Sequence, residues 1–190
     1  METTKENKPK EKIIICDLDG CLIDSEWIWS IINGMKLEKE VGFDMFNRLA
    51  NAEANEIDLT LLNYLRFKNI AGVRILFLTA RSEIIETETI NFIQRKTGLI
   101  FGKDFSISSR PSTDLTPAIE SKRARLRTLI DSGKEILIAI DDEIDIVEMY
   151  EHAGIKAMQW SIGFVPVMLA AEFGSQLPGL LGIKEAISQN

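Results

Sequence analysis

Asp17 and Asp19 stand two residues apart behind a hydrophobic run, with Gly20 next. A carboxylate at the end of a strand can attack phosphorus and carry the phosphoryl group as an aspartyl-phosphate, splitting one difficult displacement into two. A second carboxyl two residues on can give a proton to the leaving oxygen and later take one from the attacking water. Gly20 frees the main chain to turn beside the phosphate. Thr79, Ala80 and Arg81 follow a second hydrophobic run, and Asp141 and Asp142 follow a third. Carboxylates gathered in one place repel one another unless a cation sits among them. With oxygen ligands and almost no imidazole or thiol to hand, they suit a hard, partly hydrated ion, and Mg²⁺ is expected, with Asp17, Asp19, Asp141 and Asp142 as candidate ligands. The acidic residues leave open whether Asp142 or Asp145 is the second contributor after Asp141. An anionic nucleophile approaching a phosphate also needs fixed positive charge, for which Lys122 and Arg81 are the candidates, with Arg110 behind them.

These side chains need a frame that brings them together. Residues 13–16, 73–78 and 136–140 are short, continuous apolar runs that end in polar residues, the pattern of buried strands. Shorter strands are expected at 105–109 and 155–160. Helical patterns fill the intervals: 58–69, with Leu61, Leu62, Leu65 and Phe67 near one face, then 83–96, 116–131 and 142–152, the last three closing at Gly98, Gly133 and Gly154. Strand and helix in alternation predict an α/β fold, a Rossmann-like parallel sheet sandwiched between helices. In such a sheet ligands bind outside the carboxyl ends of the strands. Each polar cluster lies at such an end. Helix capping explains a single Asp or Thr there about as well as catalysis does; three clusters on one rim favour chemistry.

Composition narrows the chemistry. A single histidine, His152, rules out sites built on histidine clusters. It sits near a helix C-terminus, where the helix dipole accounts for it. A net charge of −7 argues against a broad basic surface for duplex nucleic acid, while leaving room for a local basic pocket. No phosphate-binding glycine loop or nucleophile elbow occurs. Cys16 and Cys21 have neither disulfide-framework nor zinc spacing, and a reducing cytoplasm is expected. No apolar run approaches the roughly 18 residues that would span a membrane.

Asp17-Leu-Asp19-Gly20 after a strand, Leu-Thr79-Ala80-Arg81, Lys122 on a later helix and Ile-Asp141-Asp142 opening another resemble, in order and spacing, the four motifs of the haloacid dehalogenase (HAD) superfamily of phosphohydrolases. That resemblance covers about residues 13–160. It implies Asp17 as nucleophile, Asp19 as acid/base, Thr79 and Lys122 as holders of the phosphoryl oxygens, and Asp141 with the Asp19 main-chain carbonyl completing a Mg²⁺ site. Gly20, Ala80, Arg81 and Arg110 are expected to meet the substrate. Ser-Arg110-Pro111 with Asp114, Glu-Ser-Lys122-Arg and the stretch from Asp141 through Val147, Glu148, Met149 and Tyr150 are further similar to the 3′-phosphatase half of bacteriophage polynucleotide kinase-phosphatase. That likeness implies 3′-phosphate ends of nucleic acids, or nucleotides, as substrates; a small metabolite phosphate or nucleoside 5′-monophosphate is the alternative, and a catalytically silent binding module the lesser one. Two positions depart from its pattern: Glu143 stands where an arginine follows the paired aspartates, and Cys21 where the first motif usually ends in threonine.

Residues 1–12 read as a flexible arm and 25–55 as a small helical insertion after the first strand. Residues 161–190 read as an extension packed on the core, with a partner-binding segment as the lesser reading. Trp27 and Trp29 are expected to be buried under the insertion rather than stacked on a base. Arg123, Arg125 and Arg127 are expected on a solvated helix face. The expected state is a monomer or weak homodimer, with no membrane partner.

Overall fold

In the computed structural model of the protein, residues 10–163 are described. The expectations for 1–9, and for all of 161–190 beyond its first three residues, lie outside them.

The chain runs β1 (Lys12–Cys16), β2 (Ile23–Asp24), α1 (Glu26–Met35), α2 (Lys39–Leu49), β3 (Glu56–Ile57), α3 (Leu59–Ile70), β4 (Arg74–Ser82), α4 (Glu86–Thr97), β5 (Phe105–Arg110), α5 (Ala118–Asp131), β6 (Glu135–Asp141), α6 (Ile144–His152) and β7 (Ala157–Gln159). Five strands form one parallel sheet in the order β5-β4-β1-β6-β7. β1 lies at the centre because both its faces are apolar. Ile14 and Cys16 join the core under α3 and α4, and Ile13 and Ile15 join the core under α5 and α6. The period of two slips once in β6: Leu137 and Ile138 both face the first core, where the pairing of β1 with β6 shifts register between Ile13 and Ile14. The α/β sandwich expected from the strand-helix alternation is the fold observed. No described helix is long and apolar enough to cross a membrane.

The helix boundaries have local causes. Asp58 caps α3, its carboxylate accepting from the Leu61 N–H at 2.8 Å. α4 stops at Gly98, whose φ of +68° is a left-handed conformation that glycine adopts without a Cβ clash. One expected core residue fails. Phe67 is 39% exposed, and Tyr64 takes the buried place beside Leu61 and Leu65.

The insertion is helical as expected, but two short strands not expected from the sequence fasten it. Ile23 pairs with Ile57 and Asp24 with Glu56, antiparallel, so the chain enters and leaves the insertion side by side. Between them α1 and α2 close on their own small core of Ile28, Ile32, Phe46 and Ala50. Asn55, fully buried, ties the end of α2 to the first helix: it donates to the Leu49 and Ala50 carbonyls and accepts from the Trp27 indole N–H at 2.7 Å.

Candidate active site

The carboxyl ends of β1 and β6 meet where the Asp17 N–H donates to the Ile140 carbonyl at 2.9 Å. That contact sets Asp17 and Asp141 side by side. Lys122, 1% exposed, reaches over from α5 with its Nζ 2.8 Å from Asp141 Oδ2 and 3.1 Å from Asp17 Oδ2. Asp142 joins through the turn after β1. Gly20 has φ of +79°, and a Cβ placed there would lie 2.2 Å from Asp142 Oδ2, so the absent side chain is what admits that carboxylate. Asp17, Asp141 and Asp142 each bring an oxygen within 4.8 Å of the others. Of the two acids left open by the sequence, Asp142 enters the cluster and Asp145 is exposed.

Burial raises the Asp17 and Asp141 carboxyls well above the usual range, with Lys122 pulling both back. Burial, and then the charge of Asp17, pushes Asp142 up to about 7. Burial alone would lower Lys122, but Asp17 and Asp141 override it and hold the ammonium above its ordinary value. With all three carboxyls ionised, the one ammonium among them leaves a deficit of two positive charges. Asp17 Oδ1 is buried without a hydrogen-bond partner among the described residues. An orphaned oxygen, an all-carboxylate donor set and that deficit fit a hard divalent cation held by Asp17, Asp141 and Asp142.

Asp19 and Arg81 form a pair rather than two separate groups facing a ligand. The buried Arg81 guanidinium donates from Nε to Asp19 Oδ2 and from Nη2 to Asp19 Oδ1, both at 2.8 Å, and its Nη1 donates to Asn51 Oδ1 at 2.8 Å. The Arg81 charge is thus spent on Asp19, and its third contact reaches the insertion. Thr79 is fully buried, and its hydroxyl accepts from the Arg81 N–H at 3.1 Å.

Arg125 departs from its expected solvated face. It turns inward, its Nη1 donating to the Thr79 carbonyl at 2.9 Å and also to the Ser108 carbonyl. The reason lies in the sheet. The β4–β5 ladder pairs Leu78 with Ser108, then skips to Ser82 with Arg110, so the strands part beside Thr79 and Ala80. Arg125 supplies donors where the ladder has none. Its i+3 spacing from Lys122, on the helix side that also carries Leu126 and Leu129, was the signal available in the sequence.

A cavity of about 650 Å³ opens over this rim, lined from below by Asp17, Asp19, Gly20, Ala80, Arg81, Arg110, Lys122 and Asp142, and from the insertion by Trp29, Lys39, Phe43 and Asn47. Glu143 also lines it, exposed, on the β6 side. Thr79 and Asp141 lie behind the lining. Trp29 stacks on Phe46 with ring centroids 4.7 Å apart and meets Phe43 edge-on, so one of its faces is committed to the insertion's own packing. Cys21 is buried, and burial holds its thiol well above the ordinary value.

A parallel sheet carrying this acidic, lysine-bridged rim defines the class of HAD phosphatases. A sequence model of HAD superfamily, subfamily IIIB (acid phosphatase), matches residues 1–158, and the chain belongs to that family. It is accordingly a HAD-type phosphatase by family, in a superfamily that generally uses Mg²⁺. Solved structures share the fold at low identity. The Pnkp1/Rnl/Hen1 RNA repair complex matches with a TM-score of 0.60 at 17% identity over 86% of this chain, which spans only 47% of that one. The class C acid phosphatase from Bacillus anthracis with tungstate bound matches with a TM-score of 0.57 at 13% identity, covering 96% of this chain and 77% of its own. A haloacid dehalogenase-like hydrolase from Streptococcus pneumoniae matches with a TM-score of 0.57 at 13% identity, covering 86% and 98%. No curated protein sequence matches the chain.

Proposed function

We propose that the protein is a Mg²⁺-dependent phosphomonoesterase that works through an aspartyl-phosphate on Asp17 and acts on nucleic-acid 3′-phosphate ends or nucleotides. One observation carries the catalytic part: Asp17 faces the cavity with one oxygen 3.1 Å from the Lys122 ammonium and the other without a partner. A bound Mg²⁺ would neutralise charge on the phosphoryl oxygens, held by Asp17, Asp141 and Asp142. An Asp17 oxygen attacks phosphorus as the ester P–O bond breaks, and Asp19 delivers a proton to the departing oxygen once it turns from Arg81. Water then attacks the phosphoryl group, Asp19 takes the water's proton, and the P–O bond to Asp17 breaks to release phosphate. Lys122 holds a phosphoryl oxygen throughout, and Arg125 fixes the Thr79 loop beside it. The second-half motif likeness to a polynucleotide 3′-phosphatase, and the fold shared with a protein of an RNA repair complex, support the nucleotide substrate. Buried, unpaired Cys16 and Cys21 suit a reducing, cytoplasmic setting.

Hydrolysis of p-nitrophenyl phosphate with and without Mg²⁺, beside Asp17→Asn, tests the mechanism; turnover that survives in Asp17→Asn refutes it. Relative kcat/KM on 3′-phosphorylated oligonucleotide, 3′-mononucleotide, 5′-mononucleotide and sugar phosphates tests the substrate. A preference for sugar phosphates overturns the nucleotide reading and leaves the chemistry intact.

A further inference from the structure

Among the described residues four cations line the cavity, and two are already matched. Arg81 is bonded to Asp19, and Lys122 to Asp17 and Asp141. The side chains of the other two, Arg110 and Lys39, have no hydrogen bond or ion pair among the described residues. Arg110 is the more telling because it is 6% exposed and its Nε is buried without an acceptor. Its guanidinium lies 5.7 Å from the Phe43 ring centroid, and the exposed Lys39 Nζ lies 6.0 Å from the same ring, so one aromatic side chain of the insertion joins both charges. The charge of Arg125 bears on Arg110, adding repulsion. Asp114 feels the Arg110 charge but makes its bonds to Thr116, at 2.9 Å to the N–H and 2.5 Å to the hydroxyl. A buried guanidinium without a carboxylate is costly unless an anion completes it.

Resting on the nucleotide reading above, we infer that Arg110 and Lys39, gathered around Phe43, form a second anion subsite, and that the preferred substrate carries a second phosphate beside the one removed. Strand order separates this subsite from the nucleophile. Arg110 ends β5, which lies two strands from β1 across β4, a span of about 10 Å at the usual strand spacing. A group bound to Asp17 would occupy the near end of the cavity and leave Arg110 for a neighbouring anion. Glu143 follows β6, on the opposite side of β1, so the second anion is repelled on that side and drawn to the β5 side. Guanidinium offers phosphate two parallel N–H donors, and Lys39 adds a mobile charge. The same chemistry is presented by a nucleoside 3′,5′-bisphosphate and by the phosphodiester next to a 3′-phosphate end.

The test compares kcat/KM on nucleoside 3′-monophosphate, nucleoside 3′,5′-bisphosphate and a 3′-phosphorylated dinucleotide, for the wild-type protein, Arg110→Gln and Lys39→Gln. The wild type should favour the substrates with a second phosphate, and Arg110→Gln should lower that preference by about 10- to 100-fold, the value of a charge-assisted bond. Preference for the bisphosphate over the dinucleotide identifies a free nucleotide as the source, and the reverse identifies a polynucleotide end. Equal loss on all three substrates overturns the inference and places Arg110 on the transferred group; so does a wild-type protein indifferent to the second phosphate. Should Arg110→Gln not fold, Lys39→Gln on the exposed side carries the same comparison with a smaller drop. If p-nitrophenyl phosphate is turned over but no nucleotide is, the nucleotide reading fails alone. A sugar bisphosphate against its monophosphate then decides the subsite.

Discussion

Replacing Lys122 by methionine keeps the length of the side chain and removes the one charge that stands between two buried carboxylates. Lys122 is 1% exposed, with carboxylate oxygens at 2.8 and 3.1 Å. Breaking a buried ion pair from one side typically costs about 3–5 kcal/mol, because the remaining charge is left uncompensated. In a chain of this size each kcal/mol moves the melting temperature by about 2–4 °C, so Lys122→Met without divalent ion should melt about 6–20 °C lower. The sign with pH follows from the carboxyls. Asp17, Asp141 and Asp142 are raised in the folded state, so between about pH 4 and 7 the folded chain holds more protons than the unfolded one. Stability therefore falls as pH rises through that window. Removing Lys122 raises these carboxyls further and steepens the fall, so the deficit of the variant should shrink on acidification and also on adding Mg²⁺. Thermal melts by circular dichroism, in EDTA and in Mg²⁺ on either side of neutral pH, check each part. A variant that melts within about 2 °C of wild type in EDTA above pH 7 would refute the buried-pair argument, since that is under about 1 kcal/mol. Turnover should fall about 10²- to 10³-fold, the effect of a lost preorganised donor.

Three other outcomes follow from the same site. Gly20→Ala should abolish most turnover, because its Cβ would collide with Asp142 at a left-handed φ; kinetics with a melt separates this from unfolding. Arg125→Met removes charge-assisted bonds to two main-chain carbonyls and should lower stability by about 2–4 kcal/mol in urea titration, with kcat reduced as Thr79 shifts. Mg²⁺ affinity measured by calorimetry should tighten from pH 5.5 to about 7, where Asp142 loses its proton, and level off above it, with proton uptake by the buffer in the lower range.

The sheet and its rim could be read from the sequence because each buried strand is a continuous apolar run ending at its own polar cluster. Asp17 and Asp141 came from two such ends, and Lys122 reaches both from α5. What could not be read was pairing. Nothing in a sequence of alternating charges says that Arg81 would be taken up by Asp19 and Asn51, or that Arg110 would have no bonded carboxylate among the described residues, since both depend on distances set by the whole fold. The two-residue strands β2 and β3 are too short to leave a period. Phe67 was misplaced because its position on α3 lies well round from Leu61, a discrepancy that a count at 100° per residue exposes.

The ribbon of β2 and β3 closes the insertion as a loop tied at its neck, so chain can be added beyond it at little cost to the sheet. Doubling the length of such a loop costs only about 0.6 kcal/mol in closure entropy. Lys39 and Phe43 lie on the part beyond the tie, whereas Asp17, Lys122 and Asp141 lie below it. On the subsite reading, the share of selectivity carried by Lys39 and Phe43 can thus be varied by grafting another segment between Asp24 and Glu56, provided an acceptor for Arg81 is kept where Asn51 stands.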